Sequence, residues 1–206
     1  MPNQPEPVFP PEIEEIIFSL CLQSNLRESG NLILVARRVY QWLRPRLYEL
    51  LMFNTIWPHG PHQRPKFKID VLKVHGRYVR HILFWSAKFN QNLETHLAWC
   101  PNLVNLAIWN EADYSSALVN QLLSLHITHL SFDITAFHGG VWKNSMPETS
   151  FKSVTHLDLI GSEIALKANQ IKKYFPSVTH IAFNGDEGLS AVDVLDCWKG
   201  QLEVLI

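Results

Sequence analysis

Val178-Thr-His-Ile-Ala-Phe183 is one copy of a pattern that recurs along the chain. Val79-Arg-His-Ile-Leu-Phe84, Leu103-Val-Asn-Leu-Ala-Ile108, Ile127-Thr-His-Leu-Ser-Phe132 and Val154-Thr-His-Leu-Asp-Leu159 are others, and Leu202-Glu-Val-Leu-Ile206 holds all but its last position. Each copy is apolar at positions 1, 4 and 6. Position 4 is held by Ile82, Leu106, Leu130, Leu157, Ile181 and Leu205, at spacings of 24, 24, 27, 24 and 24 residues. Alternation over so short a span predicts a strand with one buried face. Chance alternation in one strand is common; five near-equal spacings in succession are not. A period in the twenties with a β-type segment in every unit predicts an array of repeats.

The stretches between these strands read as helices: Asn92 to Trp99, Ser115 to Leu123, Ala165 to Tyr174 and Ser190 to Trp198. Seven residues before each position 4 stand Trp99, Leu123, Ser150, Tyr174 and Trp198, a column suited to packing each helix on the sheet. Pro101 and Pro176 fall at matching places, where helix must give way to strand. The 27-residue unit instead carries His138-Gly-Gly-Val-Trp-Lys-Asn-Ser-Met-Pro147, which reads as loop. Lys66 to His75 reads as the helical half of an earlier unit, with Leu50 to Phe53 as its strand. The whole resembles a leucine-rich repeat. A doubly wound α/β sheet also alternates strands and helices, but it needs no common template in each unit. Neither Gly139-Gly140 nor Gly185-Asp-Glu-Gly188 makes a phosphate-binding loop.

Bulk composition limits the rest. The 206 residues are 47% apolar, enough for one or two domains and a continuous core, and too apolar for a disordered chain. With 18 basic and 19 acidic side chains the net charge is −1, so neither nucleic acid nor an anionic membrane is an expected partner. Cys21, Cys100 and Cys197 are odd in number and widely spaced, which suits a reducing compartment. No apolar run approaches the roughly 18–20 residues that span a bilayer. Residues 1–8 are polar and Pro-rich, unlike a secretory signal. The expected location is cytoplasm or nucleus.

At the N-terminus, Phe9-Pro-Pro-Glu-Ile-Glu-Glu-Ile-Ile-Phe-Ser-Leu20 opens a helix on proline, with Glu12, Glu14 and Glu15 at its positive end. After a polar break from Ser24 to Gly30, a second helix is expected through Leu32 to Leu43, with Leu32, Val35, Val39 and Trp42 as its stripe and Pro45 as its stop. Ile56 to Pro65 reads as linker or long loop. This block resembles an F-box over roughly residues 9–50. Phe9-Pro10-Pro11-Glu12-Ile13 and Ile16-Ile17 match the first helix. Leu32-Ile-Leu-Val35, Arg37-Arg38-Val39 and Trp42-Leu43 stand where the family has a leucine, a valine, a basic residue and a tryptophan. Phe9 replaces the usual leading Leu, and Ala36 the frequent Ser after the central Val.

The expected fold is therefore α/β: an N-terminal three-helix F-box-like module, then a leucine-rich-repeat solenoid with one parallel strand and one helix per repeat. The expected segments are 1–8 as tail, 9–50 as the module, 51–75 as linker and irregular first repeat, and 76–206 as repeats. The chain stops at Ile206 inside a unit, as a fragment of a longer protein would. By the resemblance, such proteins are substrate receptors of SCF-type cullin–RING ubiquitin ligases. Phe9, Pro10, Ile13, Ile16 and Ile17, with Leu34, Val35, Arg38 and Trp42, would then dock on a small Skp-family adaptor, and the repeats would hold a protein substrate. The alternative is a repeat scaffold with no ligase role, its N-terminal helices only capping the array. A hydrolase on an α/β sheet is the third and most distant reading.

Side-chain alternation places positions 3, 5 and 7 on the outward face. Position 3 gives His81, Asn105, His129, His156 and His180; position 5 gives Leu83, Ala107, Ser131, Asp158 and Ala182; position 7 gives Trp85, Trp109, Asp133, Ile160 and Asn184. Of these, His81, Trp85, Asn105 and Trp109, with His129, Asp133 and His156, are the expected substrate contacts. The histidine column reads either as a pH-sensitive or metal-binding face or as polar filler before a buried Leu. Trp85 and Trp109 read either as a binding patch or as aromatics covered by another segment. No metal, cofactor or catalytic site is expected. His59 and His62 lack the remaining ligands of a zinc site. Cys100 and Cys197 sit at helix ends as packing residues. Asp186-Glu187 reads as a turn, and no nucleophile with a base and an orienting group is implied.

Overall fold

A computed structural model describes residues 9–24, 29–54, 68–85, 92–109, 115–133, 150–161, 167–184 and 191–206. The tail, His59 and His62, the loop 138–147 and Asp186-Glu187 lie outside the described residues. Three helices come first: α1 (Pro11–Ser24), α2 (Ser29–Val35) and α3 (Arg37–Tyr48). Then strands and helices alternate. They are β1 (Leu50–Asn54), α4 (Val71–His75), β2 (His81–Trp85), α5 (Leu93–Ala98), β3 (Asn105–Ile108), α6 (Ser116–Ser124) and β4 (His129–Asp133). After them stand β5 (His156–Ile160), α7 (Ala168–Tyr174), β6 (His180–Asn184), α8 (Ala191–Cys197) and β7 (Val204–Leu205).

The chain is an α/β protein with a seven-stranded, wholly parallel sheet in the order β1-β2-β3-β4-β5-β6-β7. Each new strand is added on the same side, so among the described strands there is no reversal of order of the kind a doubly wound sheet requires. The position-4 residues stack in register: Leu51 on Ile82, then Leu106, Leu130, Leu157, Ile181 and Leu205. A one-residue slip would turn every buried side chain outward, so the alternation fixes that register.

Positions 1 and 2 of each motif precede the ladder proper. Val79, Leu103, Ile127, Val154 and Val178 at position 1 are all buried. Ahead of each strand one carbonyl accepts two N–H groups from the next unit. Glu49 O takes Arg80 and His81, Thr128 O takes Thr155 and His156, and Thr155 O takes Thr179 and His180, at 2.9–3.1 Å.

One continuous core runs along the covered face. It joins position-4 and position-6 side chains to Leu93 and Leu97 of α5, Leu118, Val119 and Leu122 of α6, Ile171 of α7 and Val194 of α8. Helix α6 shows why such short helices form. Ser115 Oγ accepts the Leu118 N–H at 3.1 Å, capping the first turn, and the three buried residues share one face. Of the expected packing column, Trp198 is fully buried and Trp99, Leu123 and Tyr174 are half-buried against this core. Cys100 is buried, its thiol pushed up to about 12 by desolvation, so it packs and does not react.

The first three helices hold a separate small core of Leu22, Val39 and Leu43, flanked by Phe18, Leu32, Ile33 and Trp42. Two expectations fail here. The helix through Leu32 to Leu43 is broken at Ala36, whose φ of −159° and ψ of 152° are extended. Leu32 to Ala36 is apolar on every side, so sequence periodicity held no mark of a bend; in the fold Leu32, Ile33 and Ala36 pack on the core of Leu22, Val39 and Leu43. Nor does Pro45 stop the helix: α3 runs through it to Tyr48. Loss of one hydrogen bond at a proline costs about 3 kcal/mol. Burial of Leu43 and partial burial of Leu47 and Tyr48 offset it.

A polar joint ties the helices to the sheet. The His75 ring lies flat on Tyr48, centroids 3.8 Å apart, and its Nδ1 accepts from Arg44 Nε at 3.2 Å. Burial, then Arg44 and Arg77, lower the His75 pKa, which keeps the imidazole a neutral acceptor.

Candidate functional site

Two faces carry the expected contacts. The first is on the helices. Phe9, Pro10, Ile13, Ile16 and Ile17 are exposed along α1 and its lead-in, as are Leu34 and Val35 at the end of α2. Ile16 is 55% exposed and Leu34 is 81% exposed, both unusual for large aliphatic side chains. Leu20 adds to the face and was not among the expected contacts. The helix starts where the prolines lead into it, the Pro10 carbonyl accepting from Ile13 and Glu14 at 3.0 and 3.1 Å. Two expected contacts face elsewhere. Trp42 is half-buried against Leu22, Val39 and Leu43, because its stripe is the one that closes the small core. Arg38 makes an ion pair with Glu14 at 2.8 Å, bracing α1 against α3.

The second face is the side of the sheet without helices. It is a trough of about 530 Å³ that runs from Leu50 and Met52 of β1 to Val204 and Ile206 at the far edge. Its floor is apolar through Leu83, Ala107 and Ala182. One wall is the histidine column. His129 and His156 stack at 3.9 Å, and His156 and His180 at 4.1 Å, with the rings within 16° of parallel. Thr128, Thr155 and Thr179, each just before a histidine, hold Nδ1 of that histidine at 2.8–2.9 Å. The Thr155 and Thr179 hydroxyls donate to the carbonyl of the previous unit.

Parallel stacking aims the ring nitrogens side by side and not at a common point. Among the described residues no group of three or more His, Cys, Asp or Glu is placed to hold a metal. Burial and then neighbouring imidazoles lower the pKa of His129 and His156. The groups facing the column are His81, Asn105 and Glu203, whose Oε2 is 3.9 Å from His180 Nε2.

A pH dependence follows. The unfolded chain takes up protons at the ordinary value of 6.5, while folded His129 and His156 resist them. The stability of their neutral forms is thus complete above 6.5 and declines as pH falls through the lowered folded values. The urea midpoint should drop between about pH 7.5 and about pH 5.5. His129→Gln with His156→Gln should shrink that drop, leaving the part owed to His75 and His96, which are lowered as well.

Trp85 and Trp109 meet edge to face at 4.9 Å, both half-buried. Trp109 Nε1 donates to Ser131 Oγ at 2.7 Å, and Ser131 Oγ donates to Asp158 Oδ2 at 2.7 Å. This relay across three strands was missed as a site. The signal was there, because Ser131 and Asp158 are the polar members of the position-5 column. Asp133, another of the expected contacts, is buried, being only 8% exposed. Alternation along β4 places it outward, and across the sheet it pairs with Ile160 of β5.

No protein-family model and no curated protein matches this chain. Among the described residues no helix is long and apolar enough to cross a membrane.

Proposed function

We propose that this chain is the substrate-recognition subunit of an SCF-type cullin–RING ubiquitin ligase. In this reading the first three helices are an F-box-like module that docks on a Skp-family adaptor. The strands and helices from residue 76 onward are leucine-rich repeats of a solenoid, and the trough on their open face takes a protein substrate. The carrying observation is the exposed row Phe9, Ile13, Ile16, Ile17, Leu34 and Val35, which the F-box resemblance assigns to the adaptor. A helical unit whose own core is only Leu22, Val39 and Leu43 leaves that surface in water at a cost that a partner would remove. The chain acts by proximity, holding a substrate near a conjugating enzyme that does the chemistry. No active site or cofactor of its own is needed.

The rival reading, a scaffold capped by its helices, draws on the joint of Arg44, Tyr48 and His75, which ties α3 to α4. Adaptor capture separates the two. Ile13→Ala with Leu34→Ala should weaken adaptor binding by roughly thirtyfold or more, as loss of central apolar anchors does at about 2 kcal/mol each. Circular dichroism should not change, since both side chains are exposed. A wild-type chain that is monodisperse alone and ignores the adaptor at micromolar concentration would leave the scaffold standing.

A further inference from the structure

All eight arginines of the chain lie between Arg27 and Arg80. The two described stretches that meet at the joint, 37–49 and 68–80, carry eight basic and two acidic side chains, a net +6 in a chain whose total is −1. The charge is therefore segregated: the remainder of the chain is at −7. At this joint a second cavity, of about 540 Å³, opens beneath the strand starts, between the end of α3 and the turns before β2 and β3. Arg46 at the end of α3 and Arg77 and Arg80 in the turn before β2 line it, with Glu49 as the one carboxylate in its wall among the described residues. All three arginines are exposed, and among the described residues none makes an ion pair. Arg77 is held in place, its guanidinium 4.7 Å over the Tyr78 ring and bonded to the Tyr78 hydroxyl at 2.6 Å. Its carbonyl accepts from Asn102 Nδ2 at 2.7 Å, which fixes the turn.

We propose that this cavity docks a short acidic segment of a protein partner. Three exposed guanidiniums, one from the end of α3 and two from the turn before β2, outnumber the Glu49 carboxylate in the wall and suit several carboxylates spaced along one chain, each held by a planar fork of donors. A long polyanion such as duplex nucleic acid would extend past the patch and meet a molecule of net negative charge. A short segment stays within about one screening length of the arginines. The proposal is separate from the trough reading, since none of the three arginines lines the trough; Arg46 also borders a groove with Ile16 and Leu20 of α1, while Arg77 and Arg80 stand clear of both faces.

The test is fluorescence polarisation with a labelled oligoglutamate peptide and the full chain, at about 50 mM and about 300 mM salt. Saturable binding that weakens with salt is expected. Arg46→Glu and Arg80→Glu, made separately and each checked for unchanged circular dichroism, should each weaken it at least tenfold. Lys199→Glu, an exposed charge reversal beside the far edge strand β7, should leave it unchanged. The site does not exist if no saturable binding appears at low salt, or if Lys199→Glu costs as much as the arginine changes. Duplex DNA binding more tightly through the same arginines would assign the cavity to nucleic acid and overturn the proposal.

Discussion

Leu157→Ala is expected to lower stability by about 2–5 kcal/mol, the usual result of leaving a cavity in a packed core. The residue is 2% exposed and stacks between Leu130 and Ile181 in the position-4 column. No mobile neighbour is at hand to fill the space, since both flanking strands are fixed by backbone pairing. His156→Ala, one residue away on the opposite face, should cost under about 1 kcal/mol, because it removes a half-exposed ring and its bond to Thr155. Urea unfolding of the two variants measures this contrast. Equal losses would mean that inside and outside are reversed along the strands.

Gly76→Ala should be at least as damaging, for a reason that hydrophobicity does not capture. Gly76 has an ordinary helical φ of −53°, so its conformation needs no glycine. What it needs is the missing side chain. A Cβ there would overlap the carbonyl oxygen and carbon of Trp99, which is backbone at the end of α5 and cannot rotate away. The Cys100 Sγ, 3.3 Å off, closes another direction. Either the turn before β2 or the end of α5 has to move, at a cost of about 3 kcal/mol or more. Gly30 in α2 is the control. Nothing lies within 4 Å of its would-be Cβ, so Gly30→Ala should stabilise the chain by about 0.4–1 kcal/mol. Thermal unfolding of both variants should move in opposite directions.

What the sequence disclosed divides along a physical line. Strand register was legible because a side-chain period of two, repeated every 24 or 27 residues, leaves one pairing that buries five of the six position-4 residues and partly buries Leu205. The open-face columns followed, and the stacked rings of His129, His156 and His180 were deducible from them. The double hydrogen bond ahead of each strand was not, because backbone groups leave no mark in composition. The burial of Asp133 was not legible, because alternation describes one strand and not what lies around it. The bend at Ala36 was hidden inside an apolar run that suits helix and turn alike. The cavity between Arg46, Arg77 and Arg80 needed the fold, which brings the end of α3 to the turn before β2.

Each strand of the sheet pairs only with the unit before it and the unit after it. Its partners stand 24 to 31 residues apart in the chain, and among the described strands no pairing skips a unit. The contact order is therefore low for a parallel sheet, where crossovers usually make folding slow. Synthesis delivers the units in the order in which they stack. The first paired strands can form while the last are still to be made, and every later one arrives beside a finished template. Such a chain can assemble vectorially, with no segment waiting for a partner from the opposite end.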